Sequence, residues 1–555
     1  MLPGVAAEPS RSAEVFGVNL KGILLSSFIR SSSRSPEGSQ PSPHLVSICG
    51  KRCVECKVRN WRQACRWLCT ALVIVLGQSD GVGAGQVIGA IDIRGNTRTD
   101  SDIVQRELLF EPGDTLSATA VIESERILRR LLFLGRVHIS SVAAAPGSVR
   151  VVVDVEDLYA RALSPQLAGD IEEASYAIVA VDYNLFGRGQ YARLTGFDDA
   201  RSGHRATVHY GDPRLGGSHL RLATQVGWAE EGHTLGLSLS QPFFALASSW
   251  AFGASAASHE ARSRLYNRGT LVAMYADRID VASAWLVHSS GDHLKVRPGV
   301  QVSVSDNTFV ARSPYEYAPT PRRRVLTSLV FSLWRPRYVT DHFIKYLGTE
   351  EDFQVGSSAS VHAGVSSRTL GSDRDYLFAA IALAPRFRSD SGWYLLTSFS
   401  ARSRWHAGRY ENLISTISAR IYKRLTRLPG TPALAIRFNM DTLSRPEDRA
   451  SQYLLGGASG LRGYLPRSYD GKRRLVTGFE LRPVFLRRTN WALGGALFAD
   501  AGGAWDSSAA LCSAVGAGFR LGLPRVYDNP VLRVDVAHGL REGIWQFSFG
   551  LGQYF

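Results

Sequence analysis

Apolar residues recur along this chain with two periods, helical and strand-like, that occupy different regions. Between about residues 86 and 158 both occur. Ala90-Ile91-Asp92-Ile93 alternates apolar and polar side chains, as a half-buried strand does. Gly95-Asn96-Thr97 reads as a turn, and Thr99 or Ser101 is placed to cap a short helix through Val104 and Leu108. Pro112-Gly113-Asp114 breaks the chain. A second helix is expected over about Ala118 to Leu132, because Val121, Ile127, Leu128, Leu131 and Leu132 recur on one face. Gly135 stops it; Val137 and Ile139 then alternate with His138 and Ser140. Pro146-Gly147 makes a turn, and Val149, Val151, Val153 and Val155 share one face of a last strand. The order strand, helix, helix, strand, strand can bury a small core.

From about residue 165 to 555 the period is two throughout. Leu235, Leu237 and Leu239 alternate with Thr234, Gly236, Ser238 and Ser240. Val325, Thr327, Leu329, Phe331 and Leu333 oppose Ser328 and Ser332. Leu475, Thr477, Phe479 and Leu481 alternate with Val476, Gly478, Glu480 and Arg482. At the end of the chain Trp545, Phe547, Phe549, Leu551 and Phe555 are read as pointing one way, interrupted by Gln553, with Gln546, Ser548, Gly550, Gly552 and Tyr554 pointing the other. Sheets that are apolar on one face and polar on the other either pack on a core or close on themselves in lipid, where free backbone groups find no partner. Many of these segments reach the roughly 9–11 residues that a membrane-spanning strand needs. The pattern yields between about sixteen and twenty strands.

Composition narrows the picture. At 45% hydrophobic residues and a mean hydropathy of −0.06, the chain is too polar for a bundle of membrane helices. The net charge of +15 is spread between short apolar strands, with no dense basic stripe or reader motif, so nucleic acid is not an expected partner. Trp67–Gly77 is apolar but too short to cross a bilayer; it follows Arg59, Arg62 and Arg66 and precedes Gly83-Ala84-Gly85, which together read as a secretory signal peptide over residues 58–85. The Ser-, Pro- and Arg-rich residues 1–57 are then an unstructured or mis-annotated extension. Cys49, Cys53, Cys56, Cys65 and Cys69 all precede the cleavage site, which leaves Cys512 alone in the mature chain and suits an oxidising compartment. Cys53 and Cys56 have no second pair at zinc spacing, and no metal or other cofactor is expected.

Two glycine-rich motifs carry candidate chemistry. The first runs from Leu454 to Tyr464 and contains Gly460-Leu461-Arg462-Gly463-Tyr464; the second runs from Leu497 to Trp505 and contains Phe498, Asp500 and Gly502. By alternation Leu493, Leu497 and Ala499 face outward, so Asp500 faces the lumen, as does Glu480 in its own strand. A buried Arg needs a carboxylate partner, and its fork fits one with two hydrogen bonds. The expected lumen lock is therefore Arg462 with Asp500, joined by Glu480. No catalytic residues are read: histidines are dispersed and no nucleophile motif sits at a strand-to-helix turn.

These residues also carry resemblances. AIDIRGNTRTDSDIVQRELLFEPGD, ILRRLLFLGRV and VRVVVDVED resemble a POTRA domain. GGASGLRGY and FADAGGAW together resemble the bacterial surface antigen barrel family, to which BamA and TamA belong, and DYNLFGRGQ and GDPRLGG are similar to its early hairpins. The resemblance implies a small α+β POTRA domain over residues 86–158 and a transmembrane antiparallel β-barrel of about sixteen strands over residues 165–555. It implies a first strand near Glu173–Asn184 that pairs weakly with Trp545–Phe555, and a last strand ending in Phe555 that serves as a sorting signal. It further implies insertion or assembly of outer-membrane proteins, with a polypeptide exporter and a passive or lipid-transporting pore as alternatives. Implied partners are unfolded outer-membrane clients, outer-membrane lipids and an accessory periplasmic protein or lipoprotein. A single POTRA departs from the main bacterial assembly barrel, which carries several.

Overall fold

The computed structural model describes residues 85–555, except 171–173, 200, 343, 348–349, 449, 458–459 and 527–529. The proposed extension and signal peptide lie outside the described residues, apart from Gly85.

The first unit contains β1 (Val87–Arg94), α1 (Ser101–Gln105), α2 (Ala118–Leu128), β2 (Leu134–Ala145) and β3 (Ser148–Asp157). The sheet order is β1-β3-β2, with β1 parallel and β2 antiparallel to the central β3. β3 is central because its valines bury on both faces: Val151, Val152 and Val153 are all inside. Ile88, Val104, Leu108, Phe110, Leu128, Phe133 and Val137 complete the core. Each such side chain, taken fully out of water, contributes about 1.5–3 kcal/mol. Two details differ from the sequence reading. α2 stops at Leu128, and Arg130 and Leu131 close a tighter turn on Ile127 and Leu128, which lets Phe133 and Leu134 swing into the core. Thr99 does not cap α1, whose N-cap position is Asp100; its hydroxyl instead donates to Asp157 at 2.6 Å.

The second unit is a closed antiparallel barrel. Among the described residues its wall has twenty-two strand segments. Two pairs of these, Tyr376–Ala384 with Arg386–Arg388 and Arg473–Arg482 with Val484–Arg487, are halves of one strand broken at Pro385 and Pro483, where a ladder donor is missing. That gives twenty positions around the wall, not the sixteen implied by resemblance. The first wall strand is Arg161–Asp170, and Ala174–Leu185 is the second. Pro165 and the polar residues around it blur the alternation that would have marked Arg161–Asp170 as a strand.

The wall is inverted relative to a soluble protein. Leu237, Leu329, Phe331, Leu497 and Trp545 are exposed outward, whereas Ser303, Ser328 and Ser360 are buried inside. Only a hydrocarbon solvent covers such an outer face, and a closed wall leaves it no free backbone groups.

Two long connections fold into the lumen from opposite ends. At the end nearest the first unit, residues 335–357 form a hairpin of Tyr338–His342 and Glu350–Gln354. From the far end, residues 445–472 enter with a short hairpin of Tyr453–Leu455 and Tyr469–Gly471.

Candidate functional site

The far-end connection carries the glycine-rich motif to the inner wall. Leu461 and Tyr464 are fully buried against Val476, Ala504 and Ala514, and the Tyr464 hydroxyl donates to the Ser513 carbonyl at 2.9 Å. Gly463 has φ +83°, and a β-carbon there would lie 2.9 Å from the Gly539 nitrogen and 3.0 Å from the Ala514 β-carbon. Both the backbone conformation and the space require glycine. On the facing strand, a β-carbon at Gly502 would lie 2.5 Å from the Leu475 carbonyl.

Arg462 is thereby delivered to the centre of the lumen. Its Nε and Nη2 donate to the two oxygens of Asp500 at 2.6 and 3.0 Å. Its Nη1 donates to Glu480 at 2.7 Å and to Asp535 at 3.1 Å. The guanidinium is sandwiched between rings, 3.4 Å from the centroid of Phe498 and 3.9 Å from that of Tyr554. Burial disfavours its charge, but Asp500 and Glu480 outweigh that, and the pKa lies above the ordinary arginine value.

The cluster extends beyond the three residues that sequence reasoning joined. Arg482 donates to the second oxygen of Glu480 at 2.8 Å, and Arg520 donates to Asp535 at 2.6 Å. Asp535, Arg520 and Arg482 were missed. The available signal was phase: in Val531–Gly539 the apolar Leu532, Val534 and Val536 alternate with Arg533 and Asp535.

A second anchor lies nearer the far mouth. Glu447, in the same connection, receives Arg324 at 2.6 Å, Arg404 at 2.7 Å and Arg322 at 2.9 Å, and also pairs with Arg374. Burial alone would raise its pKa, but Arg404, Arg324 and Arg322 hold it well below the usual carboxylate range.

The near-end hairpin is held differently. Ile344, Phe353 and Val355 pack on Tyr394, Tyr422 and Ala435 of the wall, while Leu347 packs on Ala492 and Val531. The buried Glu351 accepts from the backbone N–H groups of Ile344, Lys345 and Tyr346 at 3.0–3.1 Å and shapes the hairpin tip. Burial pushes its carboxyl up to about 7.

The chain's last residues join the two inserts. Trp545 and Phe547 face outward as read, but the strand ends at Leu551. Gly552, with φ +81°, turns the backbone inward. Phe555 is therefore not the outward continuation of Trp545, Phe547, Phe549 and Leu551; it packs beside Ile344 and Phe353. Alternation failed there because a positive-φ glycine ends the pleat. Arg482 links everything: besides Glu480, it donates to the Ile344 carbonyl at 3.1 Å and to a Phe555 oxygen at 2.8 Å.

The first unit is seated on the near mouth. Arg214 grips Glu107 with two hydrogen bonds of 2.8 and 2.6 Å, Asn184 donates to Thr99 at 2.8 Å, and Glu123 accepts from the Leu246 N–H at 2.6 Å. Among the described residues no strand pairs with the outer edge of β2. Among the described residues the barrel closes through Ser548 opposite Asp170 and Phe549 opposite Gly169, whereas the first and second wall strands are paired from Arg161 to Gly169.

Residues 86–157 match the POTRA family model, described as a surface antigen variable number repeat. Among curated proteins none matches the sequence. Similar solved structures include BamA from Haemophilus ducreyi lacking POTRA domains 1–3, at 15% identity over 84% of each chain with a TM-score of 0.38. CdiB from Acinetobacter baumannii is 11% identical over 84% of this chain and 74% of its own, with a TM-score of 0.42. CdiB from Escherichia coli is 12% identical over 84% and 77%, with a TM-score of 0.41.

Proposed function

We propose that this chain, a POTRA domain followed by a closed antiparallel barrel, is an outer-membrane protein of the assembly and translocation plan and that it assists insertion and assembly of other outer-membrane proteins. The POTRA domain lies in the periplasm and receives unfolded clients, and the barrel hands them to lipid. The observation that carries this reading is the outer edge of β2, which no strand pairs among the described residues, held at the barrel mouth. An exposed edge offers ladder donors and acceptors to any extended segment, whatever its side chains. The two pairs that close the barrel among the described residues support a second pairing surface at the barrel seam.

No chemical step belongs to this reading. Glu480, Asp500 and Asp535 are each engaged by arginines and act as anchors, not as acid or base. No cofactor is required, and an accessory periplasmic protein or lipoprotein remains part of the proposal.

Export of a polypeptide through the lumen is the second reading. What favours it is that a twenty-position wall is filled by two inserts of the chain and not by wall side chains alone. The same filling counts against a passive pore. Depleting the protein in cells and quantifying the outer-membrane proteome separates these readings. Insertion predicts that many unrelated barrels fall together; loss of one secreted protein, or of none, refutes it.

A further inference from the structure

α2 lies between the open edge of β2 and the hairpin in the barrel mouth, and one acidic side chain on it serves both. Glu125 accepts the Ile139 N–H at 2.8 Å through Oε1. That N–H points away from β3, so it is the donor an added strand would use; Ser141 and Ala143 repeat its direction at the period of two. Through Oε2, Glu125 also holds Arg129 at 3.4 Å. Arg129 Nε in turn donates to Asp352 of the hairpin at 3.1 Å, and the other Asp352 oxygen accepts from Thr340 across the hairpin at 3.0 Å. One turn back, Arg126 lies 4.7 Å from the ring of Tyr338 at the hairpin base.

We propose that strand addition at β2 unlatches the hairpin, with Glu125 and Arg129 as the relay. The partner is an extended polypeptide segment. Its carbonyl oxygen must replace Glu125 on the Ile139 N–H, because one donor serves one good acceptor. Once displaced, Glu125 no longer steadies Arg129, and the bond from Arg129 to Asp352 weakens. The hairpin then rests on its apolar contacts, on Tyr338 and on the bonds from Tyr394 and Arg424 to Asp341, one latch fewer than before, and its release carries the Ile344 carbonyl away from Arg482. Client arrival is thereby reported to the lumen by displacement of hydrogen bonds, without any need for the POTRA domain to leave its seat on Arg214.

This inference rests on the reading of β2 as the client edge, and the test separates the two. The purified full chain is placed in a planar lipid bilayer and its conductance recorded, with a photocrosslinker at Ser141. The probe is a synthetic peptide of alternating Thr and Val with a lysine at each end; a version with proline at alternate positions, which cannot donate to a ladder, is the control. The first peptide should crosslink at Ser141 and raise open time by about five-fold, the scale of one partly exposed ion pair. Arg129→Gln and Asp352→Asn should reach a similar open time without peptide and gain nothing from it. Crosslinking without a change in conductance would overturn the relay and leave the client edge intact. Absence of crosslinking would remove the client edge and the relay together. If Arg129→Gln and Asp352→Asn both stay closed while keeping normal heat-modifiable migration, the latch is wrong whatever the peptide does.

Discussion

Both inserts that meet in the lumen have apolar seats, but they differ in where their charges lie: buried in one, partly exposed in the other. The far-end connection adds to the apolar seats of Leu461 and Tyr464 a buried charge network: Arg462 is 2% exposed and shared among three carboxylates from three wall strands. The near-end hairpin is held mainly by Ile344, Leu347, Phe353 and Val355 in apolar seats, with partly exposed ion pairs of Asp352 with Arg129 and of Asp341 with Arg424 at its base. A buried ion network tolerates no half-measures, since removing one partner leaves charge stranded in a poor solvent. Apolar contacts of this kind can be lost one at a time, each at a modest cost. One insert is thereby suited to a fixed role and the other to a movable one.

The largest effect expected is therefore at Arg462. Arg462→Ala strands Asp500, Glu480 and Asp535 and should cost about 3–5 kcal/mol, releasing the connection while the barrel stays inserted. Heat-modifiable migration should persist and client assembly should fall; if assembly is unchanged, the lock has no functional role. Exchanging charges by combining Arg462→Asp with Asp500→Arg should restore little, because Glu480 and Asp535 would then face a carboxylate. Substantial recovery would mean that Asp500 alone matters.

Next comes the hairpin seat. Phe353→Ala removes a ring from the Tyr394 contact and should cost about 1.5–3 kcal/mol of docking, seen as protease access to residues 335–357 in the folded barrel. Equal protection in variant and wild type would contradict an apolar seat.

The smallest effect concerns pH. The Glu351 carboxyl is raised to about 7 when docked. A raised carboxyl pKa favours docking at low pH, and that contribution is lost as pH climbs from the ordinary carboxylate range through about 7. Acidifying from about pH 8 to about pH 5 should tighten the hairpin and lower conductance, and Glu351→Gln should flatten the profile. An unchanged slope in that variant would assign the effect elsewhere.

Much of the architecture was legible from parity. In a strand the side-chain period is two, so Leu497 outward dictates Phe498 and Asp500 inward without any knowledge of neighbours. The mixed periods of residues 86–158 marked the POTRA unit for the same local reason, and two glycines around Arg462 marked a tight loop. Parity is silent on which strands lie side by side. Asp535 and Arg520 join the lock only because their strands close up against that of Asp500, and Glu480 meets both inserts only because Arg482, two residues on, shares its face.

The chain's own pattern thus set the fold class, the two units and the lumen-facing phase of Glu480 and Asp500, because these follow from contacts within a few residues. The count of twenty wall positions, the inward turn at Gly552, the descent of residues 335–357 into the barrel and the identity of Arg462's third partner were set by closure. A barrel closes at the strand number where every edge is paired, and its loops then fill whatever space that diameter leaves.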